Sequence, residues 1–259
     1  MKQDRNRRRI AGQSRSLVVR PAEDDRLVFV DIELGRVKRQ RPILQIAAIA
    51  VSRSLIELEA FEAKVQVDER KTPSTLIHNR HFDRDQWHRE ARHPKVVAYH
   101  FGRFLGRHAT AEVAGANQRR MIVAQLVAHN AEFDGLFLRE WFERMGLFLP
   151  ASYRVFCTLH RAMWLFHEHR SLSPPSDFKL GTLCRYFGIS LPPQEAHDAA
   201  ADVRATVELY RRMTMPDAAN VRQVLGDSSE PPRLPDAAGD GHCVDAKQPA
   251  GGVRVFGRE

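Results

Sequence analysis

The periodicity of this 259-residue sequence predicts an α/β domain. Three observations carry the prediction. Short apolar runs rich in β-branched and aromatic residues occur at 27–30, 43–51, 55–67 and 121–128, as buried strands require. Apolar residues recur at helical spacing over 94–107 and in four later stretches. The first three strand-like runs also lie close together, which predicts an antiparallel meander with short connections.

Residues 1–25 are rich in arginine, with Arg7-Arg8-Arg9 at the centre, and read as a disordered basic arm able to touch phosphates non-specifically. Leu27-Val28-Phe29-Val30 opens the first strand, and 43–51 and 55–67 supply the next two. Residues 69–94 are polar and hold His78, His81, His88 and His93 at spacings that fit no compact ligand pair, so a solvated loop and a short helix are expected. Val96, Val97, Phe101, Phe104 and Leu105 then define a helix over 94–107 that ends near Gly106. The nearly continuous run 121–128 predicts a fourth strand buried on both faces. Asn130 is the expected N-cap of a helix whose stripe is Phe133, Phe137 and Trp141. Residues 154–156 fit a short fifth strand, and helices follow at 158–166, 178–187 and 199–213, with Gly188 and Pro192-Pro193 between the last two. The remainder, 214–259, collects Pro216, Pro231, Pro232 and Gly251-Gly252 with few large apolar residues, and reads as a disordered tail. The expected organisation is thus one domain at 26–213 between two tails.

Lys and Arg number 40 against 32 Asp and Glu, a net charge of +8, and the isoelectric point is near 9.8. That balance favours a polyanionic partner, nucleic acid first. Cys157, Cys184 and Cys243 are too few and too far apart for a disulfide framework or a paired-cysteine metal site, so reduced thiols and a cytoplasmic location are expected. The apolar run after the basic start, Leu17-Val18-Val19, is too short for a secretory signal, and no stretch approaches a membrane span.

Chemistry concentrates in a few acids. Asp31 and Glu33 lie two apart on an extended segment and leave the same face. Like charges that close raise each other's proton affinity unless a cation sits between them, and a hard divalent ion suits such ligands. Taken alone, the pair fits better a strand end whose acids point into solvent. Asp134 falls in the first turn of its helix, one turn before Phe137 and Leu138, and so faces the sheet; serving the helix's own amide ends is the alternative. Asp202 starts a line with Thr206 and Leu209 on the last helix, at the margin of its apolar face, and could also be a plain surface acid. His197 stands before that helix, either as a loop or capping residue or as a group able to take a proton near neutral pH.

Together, Asp31-x-Glu33, His129-Asn130-x-x-Phe133-Asp134 and His197-x-x-x-x-Asp202 resemble the three exonuclease motifs of the DEDD superfamily in its DEDDh branch, which includes polymerase proofreading subunits, ribonuclease T and oligoribonuclease. Ile43-Leu44-Gln45-Ile46-Ala47, Cys157-Thr158-Leu159 and Lys179-Leu180-x-x-Leu183 fall where that family has supporting segments, and the resemblance covers 27–213. It implies a ribonuclease H-like fold, a mixed central sheet of about five strands with helices on both sides. It also implies two Mg²⁺ ions, replaceable by Mn²⁺, held by Asp31, Glu33, Asp134 and Asp202, with His197 as general base. The implied activity is 3′→5′ exonucleolytic release of nucleoside monophosphates from single-stranded DNA or RNA ends. Leu34, Gly35, Asn130 and Phe133 are then the residues expected to touch substrate, and a DNA polymerase or another replication or repair protein the expected partner. The chain departs from the family in three places. Glu33 runs directly into Leu34-Gly35-Arg36 without the usual threonines, Gln45 stands where relatives often have Glu, and Cys157 where they often have Asp. A nucleic-acid-binding scaffold with little turnover is the competing reading, against which stands the cost of burying mutually repelling carboxylates.

Overall fold

A computed structural model of the chain describes residues 25–35, 41–67, 84–114, 120–192 and 197–214. The expected basic arm and tail lie outside the described residues except for Asp25 and Thr214, as do His78 and His81. β1 (Arg26–Leu34), β2 (Ile43–Ser52) and β3 (Glu57–Lys64) form the predicted antiparallel meander. β6 (Gln125–Ala128) and β7 (Phe156–Cys157) add to β1 in parallel, giving a mixed five-stranded sheet of order β3-β2-β1-β6-β7.

Alternation along the strands sorts side chains to two cores. Val28, Val30 and Ile32 with Ile46, Ala48 and Ala50 face α2 (Pro94–Arg107) and α3 (Ala131–Arg144), where Phe101, Phe104, Leu138, Trp141 and Phe142 are buried. On the opposite face Phe29, Ala47, Ile49, Val51 and Val127 meet Ala199, Ala200, Val203 and Val207 of α6 (Ala199–Thr214). A third cluster joins α4 (Thr158–Glu168) and α5 (Leu180–Tyr186) to the far end of α6 through Phe166, Leu183, Phe187, Leu209 and Met213. Helices therefore cover both sides of the sheet, and Asp31 and Glu33 continue the Phe29 series onto the α6 face.

The run 121–128 is not one buried strand. Its first half belongs to β5 (Arg120–Val123), which pairs with β4 (Ala111–Ala114) in a separate hairpin, and leaves Met121 and Ile122 exposed. Ala124 bridges to Ala151, and only then does the chain enter the central sheet as β6. The fifth strand sits at Phe156–Cys157 rather than at 154–156. The polar stretch before α2 does contain a short helix, α1 (Arg84–Glu90), and His93 beyond it caps α2, its Nδ1 accepting from the Lys95 amide at 3.3 Å. Among the described residues no helix is long and apolar enough to cross a membrane.

Candidate active site

β1 outruns its parallel neighbour: its pairing with β6 ends at Phe29↔Val127. Beyond that point the Ile32 amide donates to Asp134, which the first turn of α3 brings against the strand. Asp134 is buried, at 4% exposure. Asn130 takes the N-cap place in the left-handed conformation, φ 64°, which Asn tolerates better than most residues, but its side chain makes no capping bond. The expectation for Asn130 thus holds for position and not for mechanism.

On the opposite side of the cluster, α6 begins with Asp202 turned inward, 9% exposed, its Oδ2 accepting from the His197 amide at 3.2 Å. One ligand atom each from Glu33, His197 and Asp202 lie within 4.8 Å of one another. His197 is exposed and held at φ 71°, strained for a residue with a side chain.

Electrostatics bind the four acids into one group. Asp31 is raised well above the ordinary carboxylate range, first by burial and then by Asp134, Asp202, Glu33 and Asp198. Glu33 is pushed up to about 8 by burial and by Asp202, Asp198 and Asp134. Asp134 is pushed up to about 8 by burial, against the opposing pull of backbone amides at Asp134 and Ile32. Carboxylates this buried and this close to one another either share protons or hold a cation. An oxygen-rich set with one imidazole at its edge fits a hard divalent ion such as Mg²⁺ or Mn²⁺.

The supporting residues follow. His129, at the end of β6, has its Nε2 3.0 Å from the Phe178 carbonyl and its Nδ1 3.0 Å from the Thr158 hydroxyl. Burial lowers its pKa, so the neutral ring donates from Nε2 and serves as a strut between β6, α4 and the segment before α5. Gly35 donates its amide to the Pro42 carbonyl at 2.9 Å, and a Cβ there would meet Pro42 Cγ at 3.1 Å. Leu34 follows a register shift and packs on the α2/α3 side. Phe133 packs against Phe137 with ring centres 4.6 Å apart and planes tilted by 57°, and the Arg41 guanidinium lies 5.9 Å from the Phe133 ring centre.

The structure brings Asp31, Glu33, Asp134, Asp202 and His197 together, the grouping that the family resemblance implies. Sequence reasoning assigned no role to Arg41 or Asp198, and noted Gln45 only as a departure from the family pattern. Asp198 accepts the Ala200 and Ala201 amides on Oδ1, each at 3.1 Å, and so caps α6. An Asp just before an alanine run is an N-cap signature and could have been read; the contacts of Arg41 and Gln45 are long-range and left no local signal.

Residues 103–210 match the RNase_T family, described as exonuclease. That span holds Asp134, His197 and Asp202, while Asp31 and Glu33 lie upstream of it. Among curated proteins the chain is similar to the PolC-type DNA polymerase III of Halalkalibacterium halodurans, 33% identical over 139 residues that make up 51% of this chain and 9% of that protein. It is also similar to that of Caldanaerobacter subterraneus subsp. tengcongensis, 32% identical over 90 residues, 35% of this chain and 6% of that protein. The chain therefore spans under a tenth of the length of these relatives. Among solved structures, exonuclease I superposes with a TM-score of 0.57 at 16% identity, covering 76% of this chain and 42% of that one. E. coli exonuclease I in complex with a dT13 oligonucleotide gives 0.56 at 18%, covering 72% and 40%. Cell-death related nuclease 4 gives 0.57 at 16%, covering 74% and 64%. At such identities the likeness establishes the fold, the mixed-sheet ribonuclease H-like architecture of these exonucleases.

Proposed function

We propose that this DEDD-type exonuclease domain is an active, divalent-metal-dependent 3′→5′ exonuclease on single-stranded DNA or RNA. The reading is carried by the convergence of Asp31, Glu33, Asp134 and Asp202, from three separate segments, into one mutually repelling cluster with His197 at its rim. Two divalent ions held by the four acids, Mg²⁺ or Mn²⁺, would neutralise the phosphodiester's anionic oxygens and lower the pKa of the attacking water. His197, exposed beside Glu33 and Asp202, accepts the water's proton and can pass it to solvent, a role typically worth about 10²–10⁴ in rate. Water adds to phosphorus, the bond to the preceding nucleotide's 3′-oxygen breaks, and a nucleoside 5′-monophosphate leaves.

Leu34 and Gly35 beside the acids, and Asn130 and Phe133 at the start of α3, form the surface against which the terminal nucleotide rests. Arg41, exposed over Phe133, adds a cation for a backbone phosphate. Similarity to PolC-type polymerases supports a polymerase or another replication or repair protein as partner.

The deciding experiment incubates 5′-labelled single-stranded DNA and RNA with the protein in Mg²⁺, Mn²⁺ or EDTA, alongside Asp134→Asn, which keeps the side-chain volume. Stepwise shortening from the 3′ end that requires metal and falls at least about 100-fold in the variant is expected. Retention of the strand with no shortening in either metal overturns the reading in favour of a binding scaffold.

A further inference from the structure

Gln45 is the one polar side chain in the buried length of β2, and it is 1% exposed. It pairs in register with Glu33 and shares the α6-facing side of the sheet. Its Nε2 donates to two carboxylates, Asp198 Oδ2 and Glu62 Oε1, each at 3.1 Å, while its Oε1 is enclosed with no hydrogen-bond partner among the described residues. A bare buried acceptor is costly, and a methionine would fill the same space without one. The amide is therefore poorly explained as a device for stability.

Its contact on Asp198 explains it better. Asp198 Oδ1 is committed to the Ala200 and Ala201 amides at the head of α6, so the bond from Gln45 to Oδ2 holds the carboxylate from a third direction. The next residue upstream is His197, at φ 71°, a conformation that persists only where its surroundings enforce it. Two ties flank that strained residue: its own amide to Asp202, and Asp198 to Gln45. The first comes from α6 itself, whereas the second anchors the turn to the sheet that carries Asp31 and Glu33.

We propose that Gln45 is a positioning residue whose buried amide nitrogen fastens Asp198 to β2 and thereby sets the His197 turn against the acid cluster. The inference rests on the reading of His197 as general base. Outer partners of this kind typically change activity by about 10- to 100-fold when removed.

The test uses the full chain. Gln45→Met removes the donor and the orphaned oxygen at similar volume. A melting temperature at or above wild type is expected, with kcat on a labelled oligonucleotide lower by about 10- to 100-fold, KM unchanged, and faster amide exchange at His197, Ala200 and Ala201. Gln45→Glu sets a third carboxylate between Asp198 and Glu62 and is expected to lose at least as much. Adding Asp198→Asn to it exchanges donor and acceptor across the same contact, and kcat is expected to recover to within about tenfold of wild type. Wild-type kcat in Gln45→Met, or a double variant no better than Gln45→Glu, overturns the proposal. So does a lower melting temperature with faster exchange throughout α6, which would make Gln45 a residue of fold stability. An inert wild type would instead refute the exonuclease reading, and exchange at His197, Ala200 and Ala201 in Gln45→Met still decides whether the tie exists.

Discussion

Glu33 and Asp134 face one demand that folding alone does not meet: each is drawn into a cluster that disfavours its charge. In the unfolded chain they titrate near 4.5 and 3.8, and in the fold both are pushed up to about 8. Across that interval the folded protein binds more protons than the unfolded chain, so stability falls as pH rises from about 4 to about 8. A divalent cation supplies the missing counter-charge, and its ligands must be deprotonated to bind it. In EDTA, the melting temperature of wild type is expected to decline over that interval, with a shallower decline in Glu33→Gln, which removes one of the responsible groups. Mn²⁺ or Mg²⁺ is expected to raise the melting temperature more at about pH 8 than at about pH 5.5. A metal-free melting temperature equally steep in both proteins would show that Glu33 is not strained by its neighbours.

At the scale of elements, α3 carries Asp134 only as accurately as its packing allows. Gly135 lies next to it, and a Cβ there would stand 2.9 Å from Val155 Cγ2, so either Val155 or the helix must shift. Replacing Gly with Ala favours a helix by roughly 0.8–1 kcal/mol, whereas forcing an extra methyl into a packed site costs about 1–3 kcal/mol. Gly135→Ala is therefore expected to be destabilising by about 1 kcal/mol and to lower kcat, since the shift reaches Asp134. Gly181 in α5 meets nothing within 4 Å, and Gly181→Ala is expected to stabilise by about 0.5–1 kcal/mol without affecting turnover. Urea denaturation of both variants checks the contrast, and equal signs would show that Val155 yields freely. Helix α2 was legible in the sequence to its ends, because Val97, Phe101, Phe104 and Leu105 repeat at helical spacing and Pro94 opens it, although Val96, read as part of that stripe, is exposed. The division of 121–128 between β5 and β6 was not, because both halves are extended and apolar and only their pairing partners differ.

Over the whole molecule the net charge of +8 predicts salt-sensitive binding to a polyanion, whatever the chemistry at the acids. With Asp134→Asn to block turnover, affinity for single-stranded DNA is expected to fall linearly in log–log form as salt rises, and Arg41→Met to reduce that slope by about one. An unchanged slope would remove Arg41 from the phosphate path. By itself the sequence determined the strand meander and the covering helices, because apolar period is a local property that chain order preserves, and motif spacing singled out the four acids and His197 as candidates. The sequence also turned Asp134 toward the sheet, since a helix turns its first-turn acid the same way as the apolar residues one turn on, whereas it set Asp202 only at the margin of the last helix's apolar face. Tertiary structure alone decided that Gln45 reaches Asp198 across 153 positions and that Arg41 comes to lie over Phe133. It alone decided, too, how far the acids raise one another's pKa. Such contacts arise only when a sheet brings separate segments to one end of its strands, and Coulomb repulsion depends on that distance and on burial rather than on spacing along the chain.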